Sequence, residues 1–234
     1  MSRKGEKMTR SARKRNPLLP PWLHRPGAAV AAALAGLVLL GGCGKPPMLV
    51  HKYLLEYPSP VVRASQPLDE SLKVETFSVA QAFNSTAMVY QANPYRSDTY
   101  NYSRWRVNPG YLVTDYLLRD LRNCRLFQAV LPPDSSTKSR FILEGGVEEI
   151  QELDEADSWK ASLVLNITLL DTQEQEITRR VILQKNYRAL EPLTERTPGG
   201  LAQAMSLALE QVSGRIIADM YQAAKKAASR PKAG

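Results

Sequence analysis

Ser158-Trp-Lys-Ala-Ser-Leu-Val-Leu-Asn-Ile-Thr-Leu169 is the stretch on which the fold turns. Trp159, Ala161, Leu163, Leu165, Ile167 and Leu169 alternate with Ser158, Lys160, Ser162, Val164, Asn166 and Thr168. A period of two places the first set on one side of a pleated ribbon, so the segment predicts a long strand with one buried face. The same pattern stands before it at Phe141, Leu143 and Val147, and after it at Ile177, Val181, Leu183 and Tyr187. An acidic run, Glu148, Glu149, Glu152, Asp154, Glu155 and Asp157, separates the first two segments and reads as a solvated turn. A polar hairpin loop, Asp171-Thr-Gln-Glu-Gln-Glu176, separates the second and third. Three strands with short polar joins predict an antiparallel meander.

Thr197-Pro198 follows, a cap residue and a proline at the first helical position. The helix it opens is expected to run to about Ala224, with Leu201, Met205, Ala208, Val212 and Ile216 turned inward. Gly199 and Gly200 each weaken its start by roughly 1 kcal/mol relative to alanine, so packing on the sheet must hold it. Asn108-Pro109 repeats the device upstream and predicts a helix to about Asn123, with Val113, Tyr116, Leu117, Leu121 and Cys124 on one face. Strands are expected at Tyr53-Leu54-Leu55, Leu72 to Val79 and Thr86 to Tyr90, and another within Asn93 to Trp105. Pro132-Pro133-Asp134-Ser135-Ser136 closes the first half as a loop. The order strands, helix, strands, helix predicts an α+β domain: an antiparallel sheet with both helices packed on one face.

The first forty-odd residues read as an address rather than part of this fold. Arg3, Lys4, Lys7, Arg10, Arg13, Lys14, Arg15 and Arg25 precede an apolar run from Gly27 to Leu40, the n-region and h-region order of an export signal. That run is too short for a permanent span, which needs roughly 20 apolar residues. It ends in Leu40-Gly41-Gly42-Cys43, which resembles a lipobox, where cleavage leaves an acylated cysteine at the mature N-terminus. The expected organisation is a signal at 1–42, a lipidated N-terminus and proline-rich tether at 43–60, one periplasmic domain at 61–224, and a basic tail at 225–234. Diacylglycerol and an N-linked acyl chain on Cys43 are the expected modification, with no other cofactor. Gly44 after the cysteine, rather than Asp, predicts sorting to the outer membrane of a Gram-negative cell.

Losing the leader removes most of the positive charge. The whole chain has 31 Lys and Arg against 23 Asp and Glu; eight of those cations and one acid lie in residues 1–42, so the mature chain is close to neutral. A nucleic-acid partner loses its main support. His51 is the one histidine after the leader, which argues against a histidine-rich metal site or a histidine-based nucleophile relay. No G-x-S-x-G occurs, and the acidic run lacks the spacing of a calcium loop. Cys124, without a second mature thiol beyond the lipidated one, reads as a small buried side chain. No enzyme is expected.

Tyr90, Tyr95, Tyr100, Tyr102, Trp105, Tyr111 and Tyr116 crowd into 27 residues. Tyr and Trp combine large apolar area, few rotors and a polar tip, as contact surfaces require. Core packing and partner contact are both open for this group. Tyr95, Tyr100, Tyr102 and Trp105 are the candidate partner-binding residues, with Tyr95 and Tyr100 expected to be exposed.

Tyr53-Leu-Leu, Met88-Val-Tyr90, Tyr100-Asn-Tyr-Ser-Arg-Trp105, Pro109 and Leu126-Phe-Gln-Ala-Val130, in this order behind a lipobox, resemble the ABC-type transport auxiliary lipoproteins, the PqiC-like group. The resemblance implies an accessory of a lipid-transport system that works with an inner-membrane permease, its ATPase and an MCE-domain protein bridging the periplasm. It implies docking of that bridging protein at the outer membrane, and leaves homo-oligomerisation open. An assembly lipoprotein of a secretion, pilus or cell-wall synthase complex, and a lipid-binding carrier, are the alternatives.

Overall fold

The computed structural model describes residues 48–64, 66–155 and 158–230, so Cys43 and its neighbours Leu40, Gly41 and Gly42 lie outside the described residues. Its first half comprises β1 (His51–Tyr53), β2 (Leu68–Val74), β3 (Ser78–Val79), β4 (Ala87–Asn93), β5 (Arg96–Trp105), α1 (Pro109–Cys124) and β6 (Phe127–Leu131). The second half comprises β7 (Phe141–Glu155), β8 (Ser158–Asp171), α2 (Ile177–Arg180), β9 (Val181–Pro192) and α3 (Pro198–Ala228). The α+β class is as expected.

The long hairpin of β7 and β8 is the spine, paired antiparallel from Phe141↔Asp171 to Glu155↔Ser158. On β8 the alternation is realised: Ala161, Leu163, Leu165, Ile167 and Leu169 are all fully buried. Their removal from water stabilises the fold by about 1.5–3 kcal/mol for each large aliphatic side chain. The register slips once, between Val147 and Glu149, in a β-bulge that leaves Glu148 as the extra residue. Before it Phe141, Leu143 and Val147 face the core; after it Ile150 and Glu152 do. The acidic run expected as a turn is therefore strand as far as Glu155. β9 adds to β8 antiparallel and completes the meander. Ile177, expected in that strand, is exposed in the short α2.

The sheet is mixed, which corrects the expectation of antiparallel pairing throughout. The free edge of β7 is tiled by three short strands running parallel to it: β2 at Phe141–Leu143, β3 at Gly146–Val147 and β4 at Glu152–Leu153. β6 is parallel to β2, and β1 is parallel to β5. Apolar periodicity reports which face is buried but not which way the neighbouring strand runs, and the passage through α1 is long enough for a crossover.

Both helices begin as the caps predict. Asn108 Oδ1 accepts from Gly110 N at 2.9 Å, and Thr197 Oγ1 accepts from Gly200 N at 3.0 Å. Glycine is needed at both starts. A Cβ on Gly110 would lie 2.3 Å from the Phe77 carbonyl oxygen, and one on Gly200 2.1 Å from that of Glu195. α3 packs on β8 and β9, α1 on β6 and β7, and the helices meet each other, so both cover the inner face. Leu201, Met205, Ala208, Val212 and Ile216 are buried, as are Val113, Leu117 and Leu121, while Tyr116 and Cys124 are half-buried.

The folded unit starts earlier and the last helix runs further than expected. After β1, residues 54–64 thread between the helices: Leu55 and Tyr57 are buried, and Glu56 N donates to Ser206 Oγ at 3.0 Å. Further along, the Cys124 thiol donates to Pro60 O at 3.2 Å and Tyr221 Oη to Gln66 O at 2.6 Å. Leu55 and Tyr57 thus pin the chain before residue 60 to the core, while residues 48–52 stay exposed. Lys225 and Lys226, assigned to a tail, sit in the last turn of α3, where cations complement the helix dipole.

Candidate functional site

The aromatic segment folds as the β4–β5 hairpin. Its turn, Asn93-Pro94-Tyr95-Arg96, is built by turn chemistry: Pro94 presets φ, and Asn93 Oδ1 accepts from Tyr95 N at 3.0 Å. Tyr95 at the tip is 99% exposed. Tyr102 is 43% exposed, further down β5.

The other two candidates are not surface residues. Trp105 is 1% exposed, and its Nε1 is buried without a partner. It is a core side chain, a correction to its assignment as a contact residue. The reason is that β1 pairs beside it at Tyr53↔Trp105, while residues 54–64 then cover the inner face. Tyr100, expected to be exposed, is half-buried: its Oη donates to Glu152 Oε2 at 2.7 Å and its ring lies 5.2 Å from that of Tyr90. β5 bends here, because the register against β4 jumps from Ala87↔Arg104 to Val89↔Thr99. Of the remaining tyrosines, Tyr111 is exposed, while Tyr116 stacks on Tyr57 at 5.3 Å with the Arg119 guanidinium 4.4 Å from the Tyr57 ring.

Glu152 is 1% exposed, turned inward by the bulge at Glu148. Burial pushes its carboxyl above the usual glutamate range, opposed by the hydrogen bond from Tyr100. The Tyr100 phenol is raised in turn, first by burial and then by the carboxylate it serves. Next to this pair, Trp159 Nε1 donates to Asp154 Oδ1 at 2.7 Å, and the Arg196 guanidinium pairs with Asp154 and stands 5.0 Å from the Trp159 ring. These contacts fasten the hairpin end of β7 and β8 to the start of α3.

A second polar centre was not visible as such in the sequence. Asp120 on α1 is fully buried and accepts from Tyr57 Oη at 2.9 Å, Ser213 Oγ at 2.6 Å and Arg119 Nε at 2.9 Å. It ties together α1, α3 and the segment between them. Burial and the neighbouring Asp120 raise the Tyr57 phenol far above the ordinary tyrosine range. The signal available was its spacing: Asp120 stands three residues after Leu117, on the helix face read as apolar. With every acceptor already engaged, its chemistry is cohesive.

Among the described residues no group of three or more His, Cys, Asp or Glu is placed to hold a metal ion. An open cleft of about 420 Å³ lies at the opposite end of the sheet, lined by Lys73, Ser135, Ser136, Thr137, Lys138 and Ser139 among others. Its polar groups are hydroxyls and the ammoniums of Lys73 and Lys138, with Ile142 supplying an apolar side chain. Among the described residues no helix is long and apolar enough to cross a membrane.

The placement of the N-terminal strand gives the domain a polarity. β1 runs parallel to β5, with His51 opposite Ser103, so the chain before His51 comes from the side of the Tyr95 tip. Met48, Leu49 and Val50 on this approach are exposed.

Two solved structures with TM-scores above 0.5 agree with this architecture. A crystal structure of a Xanthomonas campestris protein is similar over 77% of this chain and 100% of its own, at 17% identity and a TM-score of 0.70. A second solved protein, described as uncharacterised, matches over 74% of this chain and 99% of its own, at 13% identity and a TM-score of 0.57. A hypothetical protein of Chlamydia trachomatis matches over 66% of this chain and 96% of its own, at 11% identity and a TM-score of 0.45. No functionally curated protein matches. The family model described as ABC-type transport auxiliary lipoprotein component matches residues 53–217, which run from the end of β1 well into α3. The chain therefore belongs to the ABC-type transport auxiliary lipoprotein family.

Proposed function

We propose that this chain is a non-catalytic accessory lipoprotein of an ABC/MCE-type lipid-transport system, anchored at the periplasmic face of the outer membrane through acyl chains on Cys43. Its task is to hold the periplasm-spanning MCE-domain component at that membrane, in a system whose permease and ATPase sit at the inner membrane. The observation that carries the reading is the junction of two features. The family match begins at residue 53, and a lipobox cysteine stands only eight residues before the first strand, at His51. That spacing suits a domain held close to a bilayer. The polar centres support a passive role: Asp120 and Glu152 are engaged with donors inside the fold.

Of the four candidate contact residues Tyr95, Tyr100, Tyr102 and Trp105, the proposed contacts reduce to Tyr95 and Tyr102, which remain accessible. The full chain, tagged at its C-terminus and extracted from membranes of its own host, should co-purify an MCE-domain protein with the permease and ATPase. Cys43→Ala should leave the membrane fraction while keeping the partner. Capture of secretion, pilus or cell-wall synthase components instead would replace this reading with the assembly alternative.

A further inference from the structure

The end of the domain that carries the hairpin tip has a composition of its own. Tyr95 projects there, and its neighbour Arg96 pairs with Asp98 at 3.9 Å. Met48, Leu49 and Val50 lie exposed on the chain's approach, and Tyr102 is exposed on β5. The charges at the adjoining end of β7 and β8 are neutralised locally, Asp154 by Arg196 and Glu155 by Lys160. An exposed tyrosine at the apex, with the charged pairs Arg96–Asp98, Asp154–Arg196 and Glu155–Lys160 around it, is a mixture that settles at a membrane–water interface.

The strand register says which surface this end meets. His51 lies opposite Ser103, next to Arg104, which pairs with Ala87 at the start of β4. From Ala87 the strand climbs seven residues to Asn93 at the turn, a rise of about 20–23 Å at roughly 3.3 Å per residue. Leu49 and Val50 precede His51 on the tip side of β1, and Cys43 is eight residues from His51, a reach of at most about 27 Å. An acyl group on Cys43 can thus lie no more than a few ångströms beyond the level of the Tyr95 side chain. A bilayer holding that anchor is therefore within reach of the tip.

The opposite end has the other character. Ser136, Thr137 and Lys138 are exposed there, and Arg140 binds the Ala227 carbonyl at the close of α3, beside Lys225 and Lys226. It stands at the far end of the fifteen-residue β7, on the order of 45 Å from the tip. Charge alone would bring this basic end to an anionic bilayer. The heading of β1 favours the aromatic end, since the residues before His51 lie on the side of the hairpin turn.

We propose that the β4–β5 hairpin tip, with Tyr95 at its apex, seats in the headgroup region of the membrane that holds the anchor. The proposal rests on the lipidation of Cys43, and it names a lipid surface as what Tyr95 and Tyr102 contact. The domain then stands on its hairpin end and presents the serine- and lysine-rich end to the periplasm.

The test uses the full lipidated chain recovered from membranes, with Cys124→Ala removing the other thiol. An environment-sensitive fluorophore is placed at Tyr95→Cys or, as reference, at Ser136→Cys. Each protein is reconstituted into phosphatidylethanolamine/phosphatidylglycerol vesicles carrying a headgroup nitroxide lipid. The expected result is a blue shift at position 95 and quenching there several-fold stronger than at position 136. Equal quenching at both positions in protein that floats with the vesicles would overturn the proposal while leaving the anchor reading intact, and would free the tip for a protein partner. Shielding at position 95 that grows with protein concentration and ignores the nitroxide would overturn it in favour of a second copy of this chain. Failure to float would remove the anchor, and the proposal with it.

Discussion

Tyr100 Oη and Glu152 Oε2 stand 2.7 Å apart, joining the aromatic hairpin to the inner face of the central strand. The contact exists because the bulge at Glu148 reverses the facing of the last third of β7. Since burial raises the Glu152 carboxyl above its unfolded value, the folded state holds a proton that the unfolded chain has already lost. This favours folding below the ordinary glutamate range and is lost as pH rises through the raised value. Glu152→Gln keeps an acceptor for Tyr100 and removes the titration. Its melting temperature relative to the parent should therefore rise between about pH 4 and about pH 8. A difference that is flat or falls over this interval would contradict the assignment.

Asp120 gives the second prediction. Asp120→Ala strands three donors from Tyr57, Ser213 and Arg119 in the interior, where removing one member of a buried charged network costs about 3–5 kcal/mol. Equilibrium denaturation should show a loss of that size. A loss below about 1 kcal/mol would mean that water replaces the carboxylate.

Tyr95 and Trp105 bracket one hairpin strand and should behave oppositely. Trp105→Ala opens a cavity in the core and should cost about 3–5 kcal/mol. Tyr95→Ala at the exposed turn should leave stability within about 0.5 kcal/mol. Denaturation midpoints for the two variants measure the contrast directly, and similar losses would place Tyr95 inside the fold.

Part of this architecture was legible beforehand. The alternation on β8, the two capped helices and their inward residues follow from periods of two and 3.6, which survive without knowledge of any partner strand. The direction of β2, β3 and β4 beside β7 did not follow, because a buried face is the same for parallel and antiparallel neighbours. The strand character of the acidic run was hidden by the single extra residue Glu148, which breaks the alternation that would have revealed it. Trp105 and Tyr95 could not be told apart by residue type. Their fates depend on β1 and the 54–64 segment, which return from a distant part of the chain to cover one and leave the other free. Asp120 was overlooked because a carboxylate on an apolar helix face becomes intelligible only with Tyr57 and Ser213 in place.

The account depends most on the fate of residue 43. Intact-mass measurement of the chain recovered from its host's membranes should give residues 43–234 carrying one diacylglyceryl group and one further acyl chain. A mass retaining residues 1–42, or a polypeptide beginning at Cys43 with an unmodified thiol, would contradict it.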